Sequence, residues 1–197
     1  MRYRDNEGSY ITAHCSLSLV KKSTASEKKE KRQDNPYETL RSLALGFKAE
    51  ELEEYMEYED QVYLAVVDIS TADGTATLIC VIDGSVSLYF SNGGGVIGIG
   101  HAYEEVEQEG MSLLAGASEI THLLPIASDL DLPKNELTAV HLLTKDGVYK
   151  AEFDMYDDQN SEEHIQYLNY LIQRVLTAIR ESGALDDRPS DSDETDE

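Results

Sequence analysis

Three Asp-Gly pairs, Asp73-Gly74, Asp83-Gly84 and Asp146-Gly147, each stand between runs rich in β-branched and aromatic residues. Asp-Gly accepts the positive φ that a tight reversal needs, so each pair predicts a hairpin turn between antiparallel neighbours. Val62 to Ile69, Thr75 to Ile82 and Ser85 to Phe90 then form a three-strand meander, and Leu137 to Leu143 with Val148 to Asp154 form a separate hairpin. Strands joined this tightly are antiparallel, which argues against a doubly wound nucleotide-binding sheet. A two-residue loop at Asp83-Gly84 pairs Ile82 with Ser85. It places Thr77, Ile79, Val81, Val86, Leu88 and Phe90 on one core face, and leaves Leu78, Cys80, Ile82, Ser85, Ser87 and Tyr89 on a mixed, partly covered face.

Helical spacing surrounds these runs. Asn35-Pro36 with Glu38 is a helix start, and Leu40, Leu43, Ala44 and Phe47 mark one face. A second helix is expected over Glu50 to Tyr58, a third over His101 to Ala117 and a fourth, strongly amphipathic, over Ser161 to Arg180. Gly110 weakens the middle of the third. The expected fold is a single α+β domain over residues 35–182, with about five antiparallel strands and three to four helices mainly on one face. A small open sheet leaves edge strands to pair or cover, so a homodimer is possible.

Charge sets limits on partners. The 197 residues carry 39 acidic and 16 basic side chains, a net −23. Residues 1–34 hold eight Lys/Arg and five acids, a surplus of +3 that leaves −26 for the rest, and no basic residue occurs between Lys48 and Lys134. The start therefore reads as a flexible basic leader (1–34) and the end as a disordered acidic tail (183–197). A body this acidic is a poor match for nucleic-acid phosphates or an anionic membrane surface. No apolar run has membrane-spanning length. Two cysteines, Cys15 and Cys80, make neither a disulfide framework nor a multi-cysteine zinc site, which points to a reducing, cytoplasmic setting.

The segment from Thr77-Leu78 through Asp83-Gly84 to Ser87-Leu88-Tyr89-Phe90-Ser91-Asn92-Gly93-Gly94-Gly95-Val96-Ile97-Gly98-Ile99-Gly100 resembles a motif of uncharacterised bacterial proteins. In those, T-L, a strand and D-G precede S-L-Y-x-S-x-G-G-G-x-x-G-x-G. Leu142 to Val148 is similar to their L-T-x-D-G-V, and Val175 to Arg180 resembles their closing helix. The likeness spans roughly Leu40 to Arg180. It implies a shared fold and a bacterial origin, and brings no activity or catalytic residues with it.

Several constellations have both a chemical and a structural reading. Gly93, Gly95 and Gly98 satisfy G-x-G-x-x-G, the spacing of a phosphate cradle at a helix start. Val96, Ile97 and Ile99 make that loop apolar and no cation stands beside it, so a close backbone crossing or bulge is the plainer reading. A third reading uses Ser91, Asn92, Gly93, Gly94, Gly95, Gly98 and Gly100 as a docking loop. Asp68 to Thr75 is similar to the D-x-D-G-T of haloacid-dehalogenase-type phosphatases, but four residues separate its aspartates where that family has one. Asp68, at a strand end, is alternatively a lone metal ligand. The five histidines have no metal-site spacing, so no metal or other cofactor is expected. His141 suits a hydrogen-bonded or half-exposed structural role, His101 a helix cap and Cys80 a buried thiol. No nucleophile signature is present.

The acidic stretches complete the picture. Glu50, Glu51, Glu53, Glu54 and Glu57 crowd one segment and Glu104, Glu105 and Glu107 another, with tyrosines interspersed. Like charges at helical spacing cost stability, so beside the plain reading of solubility their density suits a surface that docks on a basic protein, such as a nuclease or another nucleic-acid-binding protein. The alternative is a nucleotide or small-molecule binding module, either a plain binder or an enzyme, built on the Gly93 to Gly100 loop.

Overall fold

The computed structural model describes residues 36–185; the basic leader and all but the first three residues of the acidic tail lie outside the described residues. Six antiparallel strands form one sheet: β1 (Leu64–Thr71), β2 (Gly74–Val81), β3 (Val86–Phe90), β4 (Gly95–Val96), β5 (Thr138–Thr144) and β6 (Gly147–Phe153). Their order is β4-β3-β2-β1-β5-β6. The meander and the later hairpin are therefore joined by β1 pairing with β5. The sixth strand is the two-residue β4, which pairs with β3 from inside the glycine-rich stretch.

All three Asp-Gly pairs reverse the chain, but the positive φ falls on the glycine alone. In two of them the glycine opens the next strand: Thr71 pairs with Gly74 and Thr144 with Gly147, leaving two-residue loops at Ala72-Asp73 and Lys145-Asp146. Asp83-Gly84 behaves differently. Cys80 pairs with Val86 and Leu78 with Leu88, and the Val81 N–H donates to Ser85 O at 2.9 Å. The loop is Ile82-Asp83-Gly84, three residues with a left-handed glycine at φ 88°. The two-residue register is thus wrong by one position, and a slip of one exchanges the faces.

Leu78 and Cys80 share their face with Val86 and Leu88, while Thr77 and Ile79 share the other with Tyr89 and Ser87. The first face, continued by Ala65, Val67, Val140 and Leu142, is apolar. The second carries Asp68, Thr77, Tyr89 and His141 along its middle.

Helices cover both faces. α2 (Glu104–Ile120) packs on the apolar one, where a Cβ at Gly110 would lie 2.6 Å from Val86 Cγ2. Gly110 is therefore the point of closest approach between helix and sheet, not merely a weak point in the helix. α3 (Glu163–Glu181) runs antiparallel to α2 and buries Leu168, Leu171, Ile172, Val175 and Ile179. α1 (Pro36–Leu45) lies on the polar face, with Tyr37 and Ala44 buried. The described chain continues beyond residue 182 to Leu185, with Ala184 buried.

Two helix expectations are corrected. Glu50 to Tyr58 is not α-helical; it forms two 3-10 turns, Ala49–Glu51 and Glu53–Tyr55. Only Ala49 and Leu52 are buried there, a three-residue spacing that a 3-10 turn presents on one side. An α-helix would have stacked carboxylates at i,i+3 and i,i+4. His101 does not cap α2: it ends a separate 3-10 turn, Ile99–His101, and its Nε2 lies 3.0 Å from Ser85 Oγ.

The sheet edges are short or covered. β4 is two residues long, and the edge of β6 is met by Pro125 to Ala127, with Lys150 N–H donating to Pro125 O and Ala127 N–H to Val148 O.

Gly95 combines a left-handed backbone with a close backbone approach. Its φ is 137°, and a Cβ would lie 2.5 Å from both Leu88 O and Tyr89 Cα. Gly93, at φ 104°, faces open space. Gly95→Val is expected to lower the unfolding free energy by about 3 kcal/mol and Gly93→Ala by about 1 kcal/mol. Urea titration of the two variants checks the order.

Candidate functional site

The glycine-rich loop is occupied with holding the sheet. Gly93 N–H donates to Phe90 O and Phe90 N–H to Gly94 O, closing the turn between β3 and β4. Ser91 Oγ accepts from Thr75 N–H at 2.8 Å, and Ser91 N–H donates to Thr75 O. Gly98 is left-handed at φ 69° and donates to Ser87 Oγ. Gly100 is buried, and a side chain there would strike Gly84 O. Asn92 is exposed at the tip. The N–H groups of Gly93 and Gly98, which a phosphate would need, already have acceptors within the chain. The flanking strands are antiparallel, and α2 starts four residues past Gly100 with Glu104, Glu105 and Glu107 in its first turn. An anion there would meet carboxylates.

Sequence reading did not anticipate the polar cluster under α1. Asp68 sits in the middle of β1, not at a strand end, and is fully buried. Arg41 Nε donates to both of its oxygens at 3.0 Å, and Arg41 Nη2 donates to Asp68 Oδ2 at 2.7 Å and Leu130 O at 2.8 Å. Thr77 Oγ1 donates to Asp68 Oδ1 at 2.7 Å, and Tyr37 OH lies 2.9 Å from Thr77 Oγ1. Since the Thr77 proton points to Asp68, Tyr37 is the donor in that second bond. Tyr37 also stacks edge-on against Tyr89, with centroids 5.6 Å apart.

His141 completes the cluster from β5. Its Nδ1 is 3.7 Å from Asp68 Oδ2, and neither ring nitrogen has a hydrogen-bond partner. It is wholly buried and unpartnered, so neither the hydrogen-bonded nor the half-exposed role is what the structure shows. Burial pushes its pKa down to about 4, against the opposing pull of Asp68. Tyr89 OH is likewise buried without a partner, and burial followed by the Asp68 charge pushes its pKa up. Arg41 is held protonated: burial works against the charge, but the hydrogen bond and field of Asp68 raise its pKa. Cys80, on the apolar face, is buried with its pKa pushed up to about 12 by desolvation, an inert thiol as expected. No group of three or more His, Cys, Asp or Glu among the described residues is placed to hold a metal ion.

The two acidic stretches, far apart in sequence, meet at one end of the sheet. The 3-10 turns carry Glu50, Glu51, Glu53 and Glu54 outward, and the bend after them carries Glu57, all exposed. Glu50 and Glu51 add to burial in raising the pKa of Tyr63 at the entry to β1. The pKa of Tyr55 is raised by Glu54 first, and also by Asp83 at the tip of the β2–β3 loop. From the other side, Glu107 lies over the same loop: a Cβ at Gly84 would sit 2.7 Å from its Oε1. Glu104 and Glu105 stand exposed beside it in the first turn of α2. Of these eight glutamates only Glu53 has an ion-pair partner among the described residues, Lys145 at 3.6 Å. The result is one acidic rim around the Ile82-Asp83-Gly84 loop.

No protein-family model, curated protein or solved structure matches this chain. No helix among the described residues is long and apolar enough to cross a membrane.

Two measurements check the buried cluster. Arg41→Met leaves the Asp68 carboxylate buried and unpaired, and is expected to cost about 3–5 kcal/mol; adding Asp68→Leu should recover most of that loss. Equal loss in the single and double variants would contradict the pairing. The charges acting on the His141 ring are those of Asp68 on β1, Arg41 on α1, Lys150 on β6 and Asp129 before β5. Its folded pKa lies below the unfolded 6.5, so its contribution is complete above pH 6.5 and is lost as pH falls toward 4. Wild type is expected to lose up to about 3 kcal/mol more than His141→Gln over that window, measured by denaturant titration at each pH.

Proposed function

We propose that this chain is a non-catalytic docking protein whose acidic rim engages a basic surface on a protein partner. The observation that supports the reading is the convergence of the two glutamate stretches around the Ile82-Asp83-Gly84 loop, with Lys145 the one cation among the described residues that pairs into them. Unpaired carboxylates held this close repel one another, which is a cost to the isolated fold. A cationic surface removes that cost on binding and gains rapid, salt-sensitive association. Exposed Tyr55 and Tyr58 offer apolar contact within the same rim.

The partner chemistry that fits is a Lys/Arg-rich protein face, of the kind that nucleic-acid-binding proteins and nucleases present to phosphate. The glutamates then stand where phosphates would. The reading places the protein in the cytoplasm and asks for no cofactor.

Affinity capture from native lysate tests it. The expected result is a set of basic proteins retained at low salt, released at high salt, and absent with the Glu54→Lys/Glu107→Lys variant. These side chains are exposed or half-buried, so the charge reversal should leave the fold intact. Retention that ignores both salt and charge reversal contradicts the reading.

A further inference from the structure

Asp68 has two basic groups beside it and uses one. Arg41, from α1, places Nε 3.0 Å from both carboxylate oxygens and Nη2 2.7 Å from Oδ2. His141, from β5, places Nδ1 3.7 Å from the same Oδ2, and neither ring nitrogen has a hydrogen-bond partner. That gap is about 1 Å longer than the charge-assisted hydrogen bond a protonated ring would make there. The two groups therefore compete for one carboxylate, and the proton on His141 decides between them.

They differ in where they can go. The His141 side chain is 0 % exposed. The Arg41 side chain is 12 % exposed and lines an open cleft of about 610 Å³ between α1 and the segment from Leu130 to Lys134. Two cations sharing one buried carboxylate leave a positive charge uncompensated, which the interior does not tolerate. Arg41 has the route to water, so Arg41 is the one that leaves.

The rest of α1 follows it. Two ties from α1 to the sheet end on Asp68: Arg41 directly, and Tyr37 OH through Thr77 Oγ1. Beyond these, α1 buries Tyr37 and Ala44 and leaves Leu43 half exposed. The chain is fixed again just past the helix, where Phe47 O accepts from Tyr63 OH at 3.1 Å and Ala49 and Leu52 are buried. Gly46 stands between the end of α1 and this anchor, and a glycine accepts the backbone change a pivot needs.

We propose that α1 is an acid-released latch: when His141 takes up a proton, Asp68 passes from Arg41 to His141 and α1 swings off the polar face of the sheet about Gly46. In the latched state burial lowers the His141 pKa to about 4. Asp68 on β1 and Asp129 before β5 favour the proton on the ring, and Arg41 on α1 and Lys150 on β6 oppose it. Release of Arg41 removes an opposing charge and admits water, so the released state binds the proton more tightly. Falling pH therefore shifts the population toward release, between 6.5 and about 4.

Hydrogen exchange of the full chain, read by mass spectrometry across that pH window and corrected for intrinsic exchange rates, tests the latch. Amides of α1 are expected to lose protection about tenfold or more relative to those of β1 and α2. His141→Gln should keep α1 protected throughout. Ring protonation of His141 in the wild type, followed by nuclear magnetic resonance, should share its midpoint with the opening of α1, a comparison that needs no variant to fold. Opening of α1 at the same pH in His141→Gln, loss of protection in α1 and β1 together, or separate midpoints for ring and helix overturns the latch.

Discussion

One carboxylate sets the terms for the rest of the molecule. Asp68 lies in the central strand of a six-stranded sheet with no exposure to solvent, and a buried charge is tolerated only when paired and hydrogen-bonded. Arg41 supplies the pairing and Thr77 a further hydrogen bond. Arg41 reaches Asp68 from α1 and also holds Leu130 O, so one guanidinium ties the first helix and the segment before β5 to the polar face of the sheet. The opposite face, free of such demands, is left to α2, α3 and a continuous apolar core.

The meander, the later hairpin and their antiparallel sense were legible because Asp-Gly between β-rich runs carries a local reason for chain reversal; the β1–β5 pairing that joins them into one sheet has no such local signal. The register at Asp83-Gly84 was not legible either. β2 is buried on both faces, so Leu78 and Cys80 look as much like a core face as Ile79 and Val81. With no alternation to arbitrate, loop length alone decides the pairing, and both two- and three-residue loops accept glycine. That slip of one residue hid the polar cluster, since it placed Thr77 with Val86 and Leu88 instead of Tyr89. Arg41, Asp68, Thr77, Tyr89 and His141 are scattered along the chain and meet only once the register is right.

The acidic stretches were legible as composition, but not as geometry. Nothing in Glu50 to Glu57 or Glu104 to Glu107 indicates that both flank the same loop. That follows from β2 ending, β3 beginning and α2 starting at one end of the sheet. The missing helix over Glu50 to Tyr58 has the same origin as the rim: carboxylates too dense to stack on an α-helix spread outward from 3-10 turns.

The fold thus treats its charges in two ways. Asp68 is matched internally, whereas the rim glutamates other than Glu53 have no ion-pair partner among the described residues. Thermal unfolding of the isolated chain across salt concentrations tests that distinction directly. Between about 0.01 M and about 0.15 M salt the screening length shortens from about 30 Å to about 8 Å. If the rim is repulsive in the free protein, Tm rises over this range, and Glu54→Gln/Glu107→Gln raises the low-salt Tm while flattening the slope. A Tm that falls with added salt, or a double substitution that lowers it, would mean that these carboxylates are already neutralised within the chain, and the case for a waiting docking surface would be lost.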